Sequence, residues 1–144
     1  MRENKKMLLW LLIPFIYGYV SNTFLLFINP ILIQIIFTIL WFWVGMKFSG
    51  LSGNKLKNYL IGNSIWFISL LLYIWQFILL DDESRVLFLA AISQYYVLSF
   101  IWSGVQLSLL FTDIIHGITI TILSFLVMLV VFTLGFIVGR IFNK

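Results

Sequence analysis

Asp113 and His116 are the pair whose types and spacing most invite chemistry. Three residues apart on a helix they share a face, and a carboxylate beside an imidazole in partial burial can pass protons or hold a cation. A plainer arrangement competes with that one. Thr112 or Asp113 suits a helix N-cap, where an acid meets the positive end of the helix dipole, and His116 is then an interfacial side chain. The capping reading is the stronger. His116 is the only histidine and cysteine is absent, so disulfides, thiol nucleophiles, thiolate sites and His-rich metal centres are excluded within one chain. A Ser-His-Asp arrangement would have to use His116 with Asp113 as an unusual orienter, and no serine is placed beside them. Nucleotide and HExxH motifs are missing; the glycines of Gly50 and Gly53 do not have phosphate-loop spacing. Asp81, Asp82 and Glu83 are adjacent, and three neighbouring acids do not converge on one ion without a special backbone. Capping of the helix that follows explains them better. The expectation is a protein that is not an enzyme, with no cofactor and no metal.

Further polar residues recur at helical spacing. Gly62, Trp66, Ser69, Tyr73 and Gln76 fall at steps of three and four, as do Tyr96, Ser99, Ser103 and Gln106. A longer face runs through Asp113, Gly117, Thr121, Ser124, Met128, Phe132, Gly135 and Gly139. Two readings cover these stripes. Small and hydroxyl residues are how membrane helices pack, since lipid provides no hydrophobic drive to association, and Gly135-x-x-x-Gly139 is a close-approach pattern of that kind. Alternatively Ser69, Tyr73, Gln76, Ser99, Ser103, Gln106, Asp113 and His116 line a polar cavity. The packing seam, within the bundle or between copies, is the favoured reading.

The elements that carry these residues are set by composition. Hydrophobic residues make up 62% of the 144 and charged residues 10%, whereas soluble domains are nearer 45–50% and roughly 25%. The surplus calls for lipid. A hydrocarbon core of about 30 Å takes roughly 20 helical residues, and five segments come near that: about 7–24, 30–48, 59–80, 86–110 and 113–141. The chain is therefore expected to be an all-α, polytopic transmembrane bundle forming one domain over 1–144. The first segment follows Arg2, Lys5 and Lys6 without a small-x-small cleavage site, so it reads as an uncleaved membrane helix. Asn29-Pro30 is a stop-and-restart signal, and Ser49 to Asn58 reads as a loop. Trp10, Trp41, Trp43 and Tyr59 lie toward helix ends, as an aromatic belt does.

Basic residues set the orientation. Arg2, Lys5 and Lys6, and then Lys47, Lys55 and Lys57, agree on a cytoplasmic N-terminus, and the second cluster suits anionic headgroups. Five crossings put Arg140 and Lys144 outside with Arg85; four put both inside and leave Arg85 alone. The fourth segment is the most polar and is the candidate for a re-entrant or interfacial piece, but its length favours five crossings. Charge flanking apolar runs argues against nucleic acid as a partner; the partners expected are the bilayer and a second copy or another membrane protein. The leading functional expectation is an accessory or scaffold subunit in a bacterial cytoplasmic membrane. The alternative is a small-solute or ion permease or channel lined by the third to fifth segments, proton-linked through Asp113 and His116.

Overall fold

Asn29 starts the best-defined helix. Its side-chain oxygen accepts from the Ile31 and Leu32 amides at 2.9 and 3.4 Å, and Pro30 fills the first position, where no amide partner is needed. The computed structural model describes residues 7–24, 29–111 and 116–142, and every regular element among them is helical. We label the α-helices α1 (Ile13–Phe24, preceded by a further helical turn so that the span is Met7–Phe24), α2 (Pro30–Ser49), α3 (Lys55–Gly62), α4 (Ser64–Ile74), α5 (Leu87–Tyr95), α6 (Ile101–Phe111) and α7 (Gly117–Phe142). A π-helical turn, Trp75–Leu79, extends α4, and 3-10 turns cover Asp82–Ser84 and Leu98–Phe100.

Met7–Phe24, α2 and α7 are long and apolar enough to cross a membrane. The third and fourth apolar segments are not single helices. Lys55–Gly62 and Ser64–Leu79 meet at 48°, and Leu87–Tyr95 and Leu98–Phe111 meet at 49°, so the candidate spans number three to five. The stretch expected as a loop over Ser49–Asn58 is one only between α2 and Asn54. Asn54 caps α3 through the Leu56 and Lys57 amides. Lys55 Nζ donates to the Ser49 and Leu51 carbonyls at 2.8 and 3.1 Å, and Asn58 Nδ2 to Leu51 at 2.9 Å. A cation on carbonyls freed at the end of α2 is favoured by the helix dipole. The acids 81–83 do not cap α5; its first residues follow Val86, which has no acid on its amide.

The core is a seam between α2 and α7. A Cβ at Gly45 would overlap the Phe132 carbonyl oxygen, one at Gly135 the Phe42 carbonyl, and one at Gly139 the Ser49 hydroxyl and the Met46 backbone. The backbones touch because side chains are missing. The register gives direction: numbers rise together along α2 and α7, from Phe42 with Gly135 to Met46 with Gly139, so these helices run parallel. Against α1 the numbers run oppositely. Trp10 meets Trp43, and Tyr17 meets Phe37, both with ring centroids 4.9 Å apart, so α1 and α2 are antiparallel. Met7, Lys47, Lys55 and Arg140 consequently lie toward one end of the bundle.

Gly45→Val or Gly135→Val should each lower the thermal unfolding midpoint in detergent, at a cost of about 1–3 kcal/mol for overpacking. Gly117→Ala, whose added carbon would meet nothing within 4 Å, should not lower it. Equal midpoints for all three would contradict a glycine-dependent seam.

Candidate functional site

Both interruptions come to one aromatic layer. Phe132 of α7 is its hub. Its ring lies 5.8 Å from Trp41, 6.0 Å from Phe48 and 5.9 Å from Tyr59 by centroids, and Trp41 lies 6.1 Å from Tyr96. Trp41, Tyr96 and Phe132 are fully buried.

The first interruption sits directly on Phe132. A Cβ at Gly62 would overlap the end of that ring, so α3 descends onto it and α4 departs at a new angle. Asn63 joins the two halves. Its amide and its side-chain Nδ2 both donate to the Tyr59 carbonyl at 3.1 Å, and its own carbonyl accepts from Phe67 at 2.9 Å. Its Oδ1 is buried without a hydrogen-bond partner within the chain.

The second interruption, from Tyr96 through the 3-10 turn, packs against α1, α2 and α7. Backbone freed by a break at membrane depth must be covered by protein or line a cavity. Gly18 does part of the covering, since a Cβ there would overlap the Tyr95 carbonyl oxygen. Gln34 does another part. Its Oε1 accepts from the Ser103 amide at 3.3 Å, at the start of α6 where helix amides have no internal partner, while its Nε2 donates to Thr38 Oγ1 at 3.1 Å. Trp41 Nε1, Tyr96 Oη and Ser99 Oγ, at this interruption or on the helix against it, are buried without partners in the chain. An unpaired buried group costs roughly 1–3 kcal/mol, and such groups in native proteins usually have a reason.

Among the described residues the stripe side chains fall in different surroundings. Ser69, Tyr73 and Gln76 are buried on the α4 side. There Tyr73 stacks on Phe77 at 4.7 Å, and Trp66 Nε1 donates to the Phe125 carbonyl at 2.9 Å. Gln76 serves the turn below it: its Oε1 accepts from the Val86 amide at 2.8 Å, and its backbone carbonyl takes Arg85 Nε at 2.9 Å. Arg85 also pairs with Asp82 at 2.6 Å and lies over the Phe77 ring at 4.4 Å. Ser99 is buried at the second interruption, Ser103 is half-buried beside Gln34, and Gln106 is exposed, apart from Gln76. His116 is exposed, its carbonyl accepting from the Ile120 amide at 3.1 Å; Asp113 lies outside the described residues. Trp41 is in the core and not in an interfacial belt.

Sequence reasoning missed Gly45, Gln34, Gly18 and Asn63. The Trp41, Gly45 and Ser49 spacing of four was a usable signal for the seam. Gln34 as an isolated amide in an apolar helix was another. Among the described residues no cluster of three or more His, Asp or Glu side chains approaches a metal-binding arrangement. No family model, curated protein or solved structure matches the chain.

Gln76→Leu removes the acceptor for the Val86 amide, so hydrogen exchange at Val86 should accelerate several-fold while the α2–α7 seam stays protected. Unchanged Val86 exchange would remove Gln76 from the role of cap.

Proposed function

We propose that the protein is a small membrane-embedded permease for small neutral polar solutes, with its binding site at the second helix interruption. The single observation carrying this is the buried trio of Trp41 Nε1, Tyr96 Oη and Ser99 Oγ, unpartnered within the chain. Interrupted helices near the middle of a bundle are a recurrent way for membrane transporters to present polar groups to a solute. The trio supplies an indole donor and two hydroxyls that donate or accept, which fits a carbonyl or hydroxyl solute. Every acidic and basic side chain among the described residues is exposed or half-buried, so an ionic solute would meet no opposite charge there and would be costly to desolvate. This favours a neutral solute over the proton-linked route through Asp113 and His116. It also outweighs the scaffold alternative, because Gly135 and Gly139, the residues that motivated docking, face α2 of the same chain.

An even number of traversals belongs to this reading. Five full crossings would leave α2 and α7 antiparallel, whereas they run parallel. Together the two bent segments then make one net traverse, one of them entering and leaving on the same side or each spanning only part of the bilayer. Such an arrangement gathers Lys47, Lys55, Lys57 and Arg140 on one side, which the positive-inside rule assigns to the cytoplasm.

Two measurements test these statements. The natural chain has no cysteine, so Ser52→Cys, Arg140→Cys and Gly117→Cys can be labelled singly with a membrane-impermeant maleimide. Ser52 and Arg140 should react from one side and Gly117 from the other; labelling of Arg140 and Gly117 from the same side would rule out a traversing α7. In proteoliposomes challenged osmotically with urea, acetamide or glycerol, light scattering should relax faster than in empty vesicles for at least one solute. Tyr96→Phe should slow that relaxation several-fold while raising the unfolding midpoint, because an unpaired buried hydroxyl is removed. No acceleration by any of the three solutes, or a Tyr96→Phe variant that loses stability, would overturn the reading.

A further inference from the structure

Along α2, Ile36, Ile39, Trp43 and Lys47 follow one another at steps of three and four, which keeps them on one side of the helix. That side faces away from the α7 seam and is open: Ile39 is 66% exposed and Trp43 37%. Trp10 of α1, 39% exposed, meets Trp43 edge-on with ring centroids 4.9 Å apart. The Lys47 ammonium lies over the Trp43 ring, 5.4 Å from its centroid, within reach of a cation–π attraction. An apolar track therefore ends in two indoles and a cation, at the end of the bundle where α1 begins and α2 stops.

Lys47 is not needed to close its own helix. The carbonyls beyond the last turn of α2, Ser49 and Leu51, are taken by Lys55. Lys47 is exposed and forms no ion pair among the described residues. The acids Asp81, Asp82 and Glu83 are far from it: they follow Tyr73, which packs on Phe125 in the first half of α7, toward the opposite end. The other cations at the Lys47 end have no such surroundings. Arg140 follows Val130, Leu134 and Ile137 on an exposed, wholly aliphatic stripe of α7, and Lys57 lies one turn from Leu60 and Ile61 on the short α3.

We propose that this face binds one anionic phospholipid, its phosphate on the Lys47 ammonium, its glycerol backbone against the Trp10–Trp43 pair and an acyl chain along Ile39 and Ile36. Indoles favour the headgroup level of a bilayer, and a basic side chain there attracts anionic lipid. A choline headgroup would bring a second cation to a ring that Lys47 already covers, so a net-negative headgroup fits better. A soluble phosphate would leave the track of Ile36 and Ile39 unused. The proposal rests on the membrane placement of the chain and is independent of the solute site at Tyr96.

The test is native mass spectrometry of the full-length protein released from neutral detergent micelles that hold equal amounts of phosphatidylglycerol and phosphatidylcholine with identical chains. The natural chain should retain phosphatidylglycerol several-fold over phosphatidylcholine. Lys47→Gln should make the two about equal, and Lys47→Arg should restore the preference. Lys57→Gln and Arg140→Gln, which remove the same charge from the same end, should keep it. Trp10→Leu, on the other helix, should weaken it several-fold with Lys47 in place, so the site is read even if the lipid-free unfolding midpoint of Lys47→Gln falls. Equal retention of the two lipids by the natural chain, or equal losses for all three charge removals, would overturn the proposal in favour of a diffuse basic rim. Displacement of phosphatidylglycerol by inorganic phosphate would overturn it in favour of a soluble anion. A failed osmotic flux assay with intact lipid preference would sink the permease reading alone.

Discussion

Two backbones cannot approach within touching distance unless the Cβ atoms between them are absent, and the α2–α7 contact depends on that. Gly45 on one helix and Gly135 and Gly139 on the other remove the three carbons that would strike opposing backbone or the Ser49 hydroxyl. In lipid, where burying apolar side chains yields no gain, dispersion between closely packed atoms is a main force left to hold helices together, and it decays steeply with separation. Ser49 reinforces the end of the seam by donating to the Met46 carbonyl at 2.7 Å, so its polar hydrogen is satisfied while its oxygen packs against Gly139. Everything else in the bundle is arranged around this parallel pair: α1 lies antiparallel on α2 through Trp10–Trp43 and Tyr17–Phe37, and the bent segments fill the remaining flank.

The two bends follow from the same packing. Phe132 is one turn before Gly135 on α7, so the close seam pushes its ring toward the third segment, where only glycine at position 62 leaves it room. Tyr59 packs edge-on to Phe132 and Phe136 and shares a 2.8 Å hydroxyl contact with Thr133, fixing α3 before the bend. On the other side of the layer, Trp41 meets Tyr96 and the fourth segment breaks there too. A continuous helix would keep its amides and carbonyls to itself. The break frees them, and Gln34 and Gly18, on two different helices, are placed to cover what it frees. Neither residue makes sense on its own helix alone, where one is a polar intruder and the other a flexible gap.

That dependence on neighbours explains what the sequence could and could not reveal. Helical character and apolar excess were legible from composition, and the start of α2 from Asn29-Pro30, because those signals are local. The Gly135-x-x-x-Gly139 pattern was visible as a close-approach face, but its partner was not, since Gly45 is a lone glycine in an apolar run. The breaks were illegible as breaks. Gly62-Asn63 sits inside an unbroken apolar segment, and Tyr96 to Phe100 contains neither glycine nor proline, so the local chemistry allows a helix that the tertiary contacts interrupt. The polar stripes were read along straight helices; that of the third segment stays buried across its bend, whereas along the fourth Tyr96 and Ser99 are buried, Ser103 is half-buried and Gln106 is exposed. Gln76 and Gln106, on different segments and offered as lining of one cavity, differ in the bundle: one is fully buried and the other exposed. Gln76 is a cap for the turn below it, a role that depends on Val86 arriving ten residues later in sequence.

The unpartnered groups can be sorted by where they fall. If burying them were an accident of packing, they would be scattered among the buried hydroxyls and amides of the bundle. Some are: Ser21 lies on α1, Ser108 well along α6, and Gln76, through its Nε2, on the π-helical turn after α4. Others are not. Trp41, Asn63, Tyr96 and Ser99 lie at the two interruptions or on the helix packed against them. Trp41 and Tyr96 are large side chains whose rings pack well and whose polar atoms alone go unmet, a combination that phenylalanine would supply more cheaply if packing were all the positions required. Keeping polar atoms buried without partners costs stability, and in this bundle much of that cost falls where the helices also break. Phe132 links the two places, since its ring packs on Trp41 and fills the space that glycine leaves at position 62.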